Sequence, residues 1–69
     1  MTIYEFLDIT FGDYKEIVIY YGFELFGGGN DGYTKEKSFC KNEYIDDDLG
    51  ELTISRISFD GSVLRIFGR

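Results

Sequence analysis

An Asp-Gly pair, Asp60-Gly61, sits between two β-rich runs, Leu52 to Phe59 and Ser62 to Phe67, and it constrains this chain more than any other feature. Asp-Gly between apolar runs is a strong local signal for a hairpin, because a type I′ turn needs positive φ at both central residues. With Asp60 and Gly61 as the loop, Phe59 is expected to face Ser62, Ile57 to face Leu64 and Ser55 to face Ile66. Ile57, Phe59, Leu64 and Ile66 then share one side of the ribbon, the core side. A lone hairpin is marginal in water, so the upstream chain must cover this face and extend these strands.

Sixty-nine residues suffice for a single domain, residues 1–69, near the lower limit for folding without a staple. Seven Phe and six Tyr supply large apolar areas at low entropic cost. Cys40 is the one cysteine and there is no histidine, which excludes an internal disulfide framework and a Cys/His zinc site. It also leaves Cys40 without the base a papain-like nucleophile requires. The start, Met1 to Thr10, lacks a basic segment followed by an apolar run, and no apolar stretch approaches the roughly 20 residues of a membrane span. A soluble, cytoplasmic protein is expected.

Thirteen acids against seven Lys and Arg give a net charge of −6. Such a surface repels nucleic acid and anionic membrane and favours basic partners, although solubility alone also accounts for it.

From the N-terminus, Thr2 and Glu5 fit a capping box, and Ile3, Phe6, Leu7 and Thr10 recur at helical spacing, predicting a short helix that ends at Gly12. Tyr14 to Tyr21 reads as a strand, with Ile17, Ile19 and Tyr21 on one side and Glu16, Val18 and Tyr20 on the other. Tyr21-Gly22 suits a tight turn that returns Phe23 to Phe26 alongside it as a second hairpin. Gly27 to Gly32, with four glycines, reads as a loop. It lacks the tandem copies of calcium-binding nonapeptides and the Lys-Ser/Thr pair of a phosphate loop. Between Tyr33 and Gly50 two readings compete: a helical turn capped by Asn42, with Ile45 and Leu49 on its inner side, and a strand near Lys37 to Cys40.

Leu52 to Phe59 does not alternate cleanly, since Leu52 and Ile54 have one parity and Ile57 and Phe59 the other. Either both faces are partly covered or a bulge near Ser55 and Arg56 resets the pleat. The turn register sets Arg56 opposite Arg65, and the nearest acids to neutralise them are Asp46, Asp47, Asp48 and Glu51. The expected fold is α+β, a short N-terminal helix packed on a small four-stranded antiparallel sheet of two hairpins.

The opening Thr2 to Leu7, the Ile17 to Tyr20 strand, and Glu43-Tyr44-Ile45-Asp46 ahead of a terminal strand pair resemble small uncharacterised phage and mobile-element proteins of Gram-positive bacteria. The Gly27 to Gly32 stretch departs from their pattern, which has a shorter, more polar turn there. The resemblance implies a host-directed inhibitor, anti-CRISPR proteins included.

Glu43, Asp46, Asp47, Asp48 and Glu51 place five acids in nine residues. They can imitate a phosphate row and grip a basic, nucleic-acid-binding protein surface, or they can be a solvated loop paired with Arg56 and Arg65. The spacing does not fit an EF-hand calcium loop. Six tyrosines cannot all bury their hydroxyls, and Tyr44 and Tyr33 are the expected aromatic anchors beside the acids. The reading is a non-enzymatic interaction domain without cofactor or metal, directed at a basic protein rather than nucleic acid or membrane. Its alternative is a homodimer formed through an outer patch of Val18, Tyr20, Ile54 and Phe67 or through an exposed strand edge.

Overall fold

The computed structural model describes residues 1–9, 14–25 and 32–69. In chain order the elements are α1 (Ile3–Ile9), β1 (Glu16–Phe23), β2 (Tyr33–Cys40), α2 (Asp47–Gly50), β3 (Ile54–Asp60) and β4 (Val63–Gly68). The capping box forms: the Thr2 amide donates to Glu5 Oε1 at 2.8 Å, and the Glu5 amide donates to Thr2 Oγ1 at 3.2 Å. These two bonds satisfy donors that a helix start leaves open, which is why α1 begins at Ile3. Ile3 is buried, and Phe6 and Leu7 are half-buried against the core. Thr10, Gly12, Phe26 and residues 27–31 of the glycine loop lie outside the described residues.

The fold class is α+β with a four-stranded sheet, but the sheet is mixed, in the order β2-β1-β4-β3. β1 pairs antiparallel with β2 and parallel with β4, and β4 pairs antiparallel with β3. The expected antiparallel arrangement fails because β1 and β4, the two strands rich in buried side chains, take the centre. Segment 41–53 then carries the chain from the Glu16 end of β2 back to the Phe23 end of the sheet, where β3 starts. A return of about a dozen residues is what two strands of the same sense require.

The hairpin at β1 also differs from expectation. Gly22 has φ +68°, yet the strand runs through it to Phe23, and the antiparallel partner is β2, with Tyr21 opposite Lys35 and Phe23 opposite Tyr33. The strand reading of Lys37 to Cys40 therefore prevails and extends back to Tyr33. Asn42 caps no helix; it takes φ +71° in the turn after β2.

In the terminal hairpin Asp60 pairs with Val63, Phe59 with Leu64 and Ile57 with Ile66. The loop is Gly61-Ser62, one residue later than expected, and positive φ falls on Gly61 but not on Ser62. Glycine in the first loop position is the signature of a type II′ turn. The slip moves each pairing by two, so Ile57, Phe59, Leu64 and Ile66 still share a face. A register shift between Ile54 and Arg56 supplies the bulge. Arg56 consequently faces Phe67, and Arg65 faces Ser58, rather than each other.

Both faces of the sheet are covered. On one, Ile17, Ile19, Phe39, Leu64 and Ile66 pack under Ile3, Tyr14, Ile45 and Leu49. On the other, Val18, Tyr20, Tyr33 and Phe67 form a second buried cluster, with Phe23 and Val63 against it. The outer patch expected from Val18, Tyr20, Ile54 and Phe67 thus does not exist. Three of its members are buried and Ile54 packs toward the first core. Among the described residues, no helix is long and apolar enough to cross a membrane.

Candidate functional site

Five of the residues expected to bind a partner are acids on the crossover between β2 and β3, where burial alternates with exposure. Ile45 and Leu49 are buried, while Asp46, Asp47 and Asp48 are exposed between them. Two apolar pins four residues apart hold the segment to the core, and the aspartates between them have to face water.

Three of the five acids have partners within the fold. Glu43 turns back on its own turn, accepting from the Cys40 amide at 2.9 Å while its amide donates to the Cys40 carbonyl at 3.0 Å. Asp46 accepts from Lys37 Nζ at 2.7 Å. Its carboxylate is thereby drawn away from α2, which has no side-chain cap. Asp47 Oδ1 accepts from the hydroxyls of Tyr4, at 2.7 Å, and Tyr44, at 3.2 Å. The expectation that arginines hold these acids gives way to Lys37 and two tyrosines. Arg65 instead donates to the Tyr20 hydroxyl at 2.5 Å and to Asp60 at 3.3 Å.

These contacts shift titrations in consistent directions. The hydrogen bond to Asp47 raises the Tyr4 and Tyr44 hydroxyls, since losing a proton there would set two anions against each other. The hydrogen bond to Asp46 raises the Lys37 ammonium, which favours its charged form. Arg65 is raised first by its bond to Tyr20.

The geometry depends on Gly50. A Cβ at that position would run into the Tyr4 ring, so only glycine lets the ring pass over α2. The Tyr4 hydroxyl then also reaches the Ile45 carbonyl at 2.5 Å, tying α1 to the crossover.

Tyr44 is 73 % exposed and borders two hollows. An open groove of about 430 Å³ is lined by Tyr21, Lys37, Tyr44, Asp46, Asp47, Asp48 and Leu49. On the other side, a hollow of about 290 Å³ is lined by Tyr4, Leu7, Tyr14, Ile17 and Ile45 together with Asn42 and Glu43. Three aspartates and Lys37 give the groove its charge, while the hollow combines aromatic and aliphatic side chains with Asn42 and Glu43.

Tyr33 does not belong to this site. It is buried in the cluster on the opposite face, where its hydroxyl donates to Ser55 Oγ, which in turn donates to the Phe67 carbonyl at 3.1 Å. Asp48 lines the groove, and Glu51 is exposed after α2. Sequence reasoning missed Tyr4, Lys37 and Gly50. Gly50, the last residue of the short acidic helix α2, was the available signal for a close approach. Among the described residues no group of three or more Cys, Asp or Glu side chains is placed to hold a metal ion. Cys40 is exposed as a free thiol.

No family model, curated protein or solved structure matches the chain.

Proposed function

We propose that the chain is a non-enzymatic interaction module that receives a basic protein surface on the edge formed by Asp46, Asp47 and Asp48, with Glu43 and Glu51 beside them. The observation that carries this reading is the placement of Tyr44. It is a large, exposed aromatic, its hydroxyl is oriented by Asp47, and it stands between a groove lined by three aspartates and a hollow lined by Leu7, Tyr14, Ile17 and Glu43. Interface anchors are commonly tyrosines of this kind, held in one orientation beside a pocket. A complementary partner carries lysine or arginine for the groove and an apolar side chain for the hollow. Nucleic-acid-binding proteins present such basic surfaces. An inhibitor of a host defence protein, anti-CRISPR-like in its action, would use the acids in place of phosphates.

Asp48 and Glu51 are the acids best suited to a test, because Asp46 and Asp47 also tie the fold together. Partner proteins are captured from the host cell, and their affinity is measured over a range of salt concentrations. The Asp48→Lys/Glu51→Lys double variant is expected to bind at least about tenfold more weakly and with a shallower salt dependence. Tyr44→Ala is expected to weaken binding by about tenfold at every salt concentration. Affinities unchanged in both variants would remove the reading.

A further inference from the structure

The two edges of the sheet are built differently. On β2, Lys35, Glu36 and Lys37 are consecutive. Every antiparallel self-pairing centred on them that keeps the two faces in register sets Lys against Lys or Glu against Glu. Charged residues of this kind block edge-to-edge association. On β3 the charges are Arg56, which lies over Phe67, and Asp60, which accepts from Arg65 at 3.3 Å; they are of opposite sign and both on the Arg65 face of the sheet, while Ile57 and Phe59 lie on the other. Phe59 is 57 % exposed. At its start β3 is closed off, because the Ile54 amide donates to the Met1 carbonyl at 2.9 Å and Thr53 bridges to Thr2. From Arg56 to Asp60, its outer edge faces no strand among the described residues.

We infer that β3 is a symmetric pairing edge whose occupant is a second copy of this chain, joined antiparallel about a two-fold axis at Ser58. Three registers keep the faces aligned: centred on Ile57, Ser58 or Phe59. Only the Ser58 register sets Arg56 against the partner's Asp60 and Ile57 against the partner's Phe59, each pair occurring twice by symmetry. The backbone agrees with it. Asp60 and Val63 close a two-residue loop, so Asp60, Ser58 and Arg56 direct their amides and carbonyls to β4. Ile57 and Phe59 direct theirs outward. In the Ser58 register the outward residues meet each other, and the two Ser58 residues form the non-hydrogen-bonded pair between them. The partner's loop then ends at the bulge, where the open edge also ends. The dimer sheet has eight strands, and its two ends are the lysine-bearing β2 edges.

This inference is independent of the acidic edge, which lies on the crossover. Two chains of charge −6 repel at low ionic strength, so association is expected to strengthen as salt is raised to physiological levels. Sedimentation equilibrium over a wide concentration range is expected to show a monomer–dimer equilibrium. Arg56→Glu or Asp60→Arg alone places like charges opposite each other twice and is expected to weaken dimerisation by about tenfold or more. The Arg56→Glu/Asp60→Arg double variant is expected to recover it. Where a charge variant loses its circular dichroism spectrum, Phe59→Ser, at an exposed position, replaces it and is expected to favour the monomer. In a Cys40→Ser background, Ser58→Cys is expected to cross-link on mild oxidation, since Cα atoms in such a pair lie about 4.5 Å apart. Ser62→Cys, also exposed, is expected not to. A monomer at every concentration overturns the inference, as does a double variant no tighter than the singles or equal cross-linking from positions 58 and 62.

Discussion

The two faces of the sheet are covered by different means. The first is covered by secondary structure: α1 and the crossover lay Ile3, Ile45 and Leu49 over an aliphatic layer of Ile17, Ile19, Leu64 and Ile66. The second has no helix among the described residues, and its layer is aromatic. Tyr20 and Phe67 stack with centroids 4.5 Å apart, Phe23 and Tyr33 meet edge to face, and Tyr33 tilts against Phe67. Over these rings lie the three arginines of the chain. Arg56 is 4.2 Å from the Phe67 centroid, Arg69 is 4.2 Å from the Phe23 centroid, and Arg65 bonds the Tyr20 hydroxyl. A planar guanidinium on an alkyl stem can exclude water from a ring while remaining solvated itself. Long side chains thus do here what a second helical layer does in larger domains. That explains how a chain of this length buries both sides of its central strands.

The contrast is sharpest when one residue is truncated on the helix side. Leu64 is fully buried there, at 0 % exposure, so Leu64→Ala removes packing on all sides and leaves a cavity in the first core. The expected loss is about 3–4 kcal/mol, enough to unfold a large part of a population of so small a domain. Urea titration of the variant measures it directly. A loss below about 1 kcal/mol would mean that the helix layer collapses onto the gap and is no more rigid than the arginine layer.

The arginine side is expected to respond more gently. Arg69→Ala uncovers Phe23, with an expected loss of about 1 kcal/mol, because the ring gains water on one side while the layer beneath stays packed. Arg69→Met, which keeps an alkyl stem and removes the charge, is expected to lose about half of that. Denaturation of both variants at the same protein concentration separates coverage from cation–ring attraction. Equal losses in the two would assign the whole effect to the guanidinium.

The features legible in the sequence were local ones. Thr2 and Glu5 announce the start of α1 because a capping box closes within four residues, and the bulge shows as a change of parity between Ile54 and Ile57. The turn was half legible. Asp60-Gly61-Ser62 accommodates glycine in either loop position, and contacts from elsewhere decide between them. β1 runs beside β4 with Glu16 opposite Val63, and the Lys15 amide takes the Ser62 carbonyl at 2.7 Å. The mixed sheet was illegible for the same reason, since the β1–β4 pairing joins residues far apart in sequence. Tyr33 misled because β2 is an edge strand buried only near its ends, so its pattern resembles a loop. Of the expected partner-binding residues, the acids and Tyr44 do gather along one segment. Their internal partners Tyr4 and Lys37 lie on α1 and β2, beyond the reach of any spacing rule.

The smallest expected effect distinguishes the two coverings by their response to acid. Glu5 secures the start of α1, and its bond to the Thr2 amide, followed by that from the Thr2 hydroxyl's side, holds its carboxyl below the ordinary glutamate value. A depressed carboxyl contributes stability that is present above the unfolded value of about 4.3 and is lost as pH falls through the folded one. Glu5→Gln keeps an acceptor for the capping box and removes only the charge. Wild type is therefore expected to be slightly more stable than Glu5→Gln near pH 7, with the difference shrinking as the pH drops below about 4. Arg56 and Arg69 cover the Phe67 and Phe23 rings, which have no proton to gain or lose. Amide hydrogen exchange followed from pH 7 into the acid range should accordingly show α1 losing protection in wild type but not additionally in Glu5→Gln. If the difference between the two proteins persisted undiminished in acid, the helix start would owe nothing to the carboxylate, and the helix-covered face would be as indifferent to protons as the arginine-covered one.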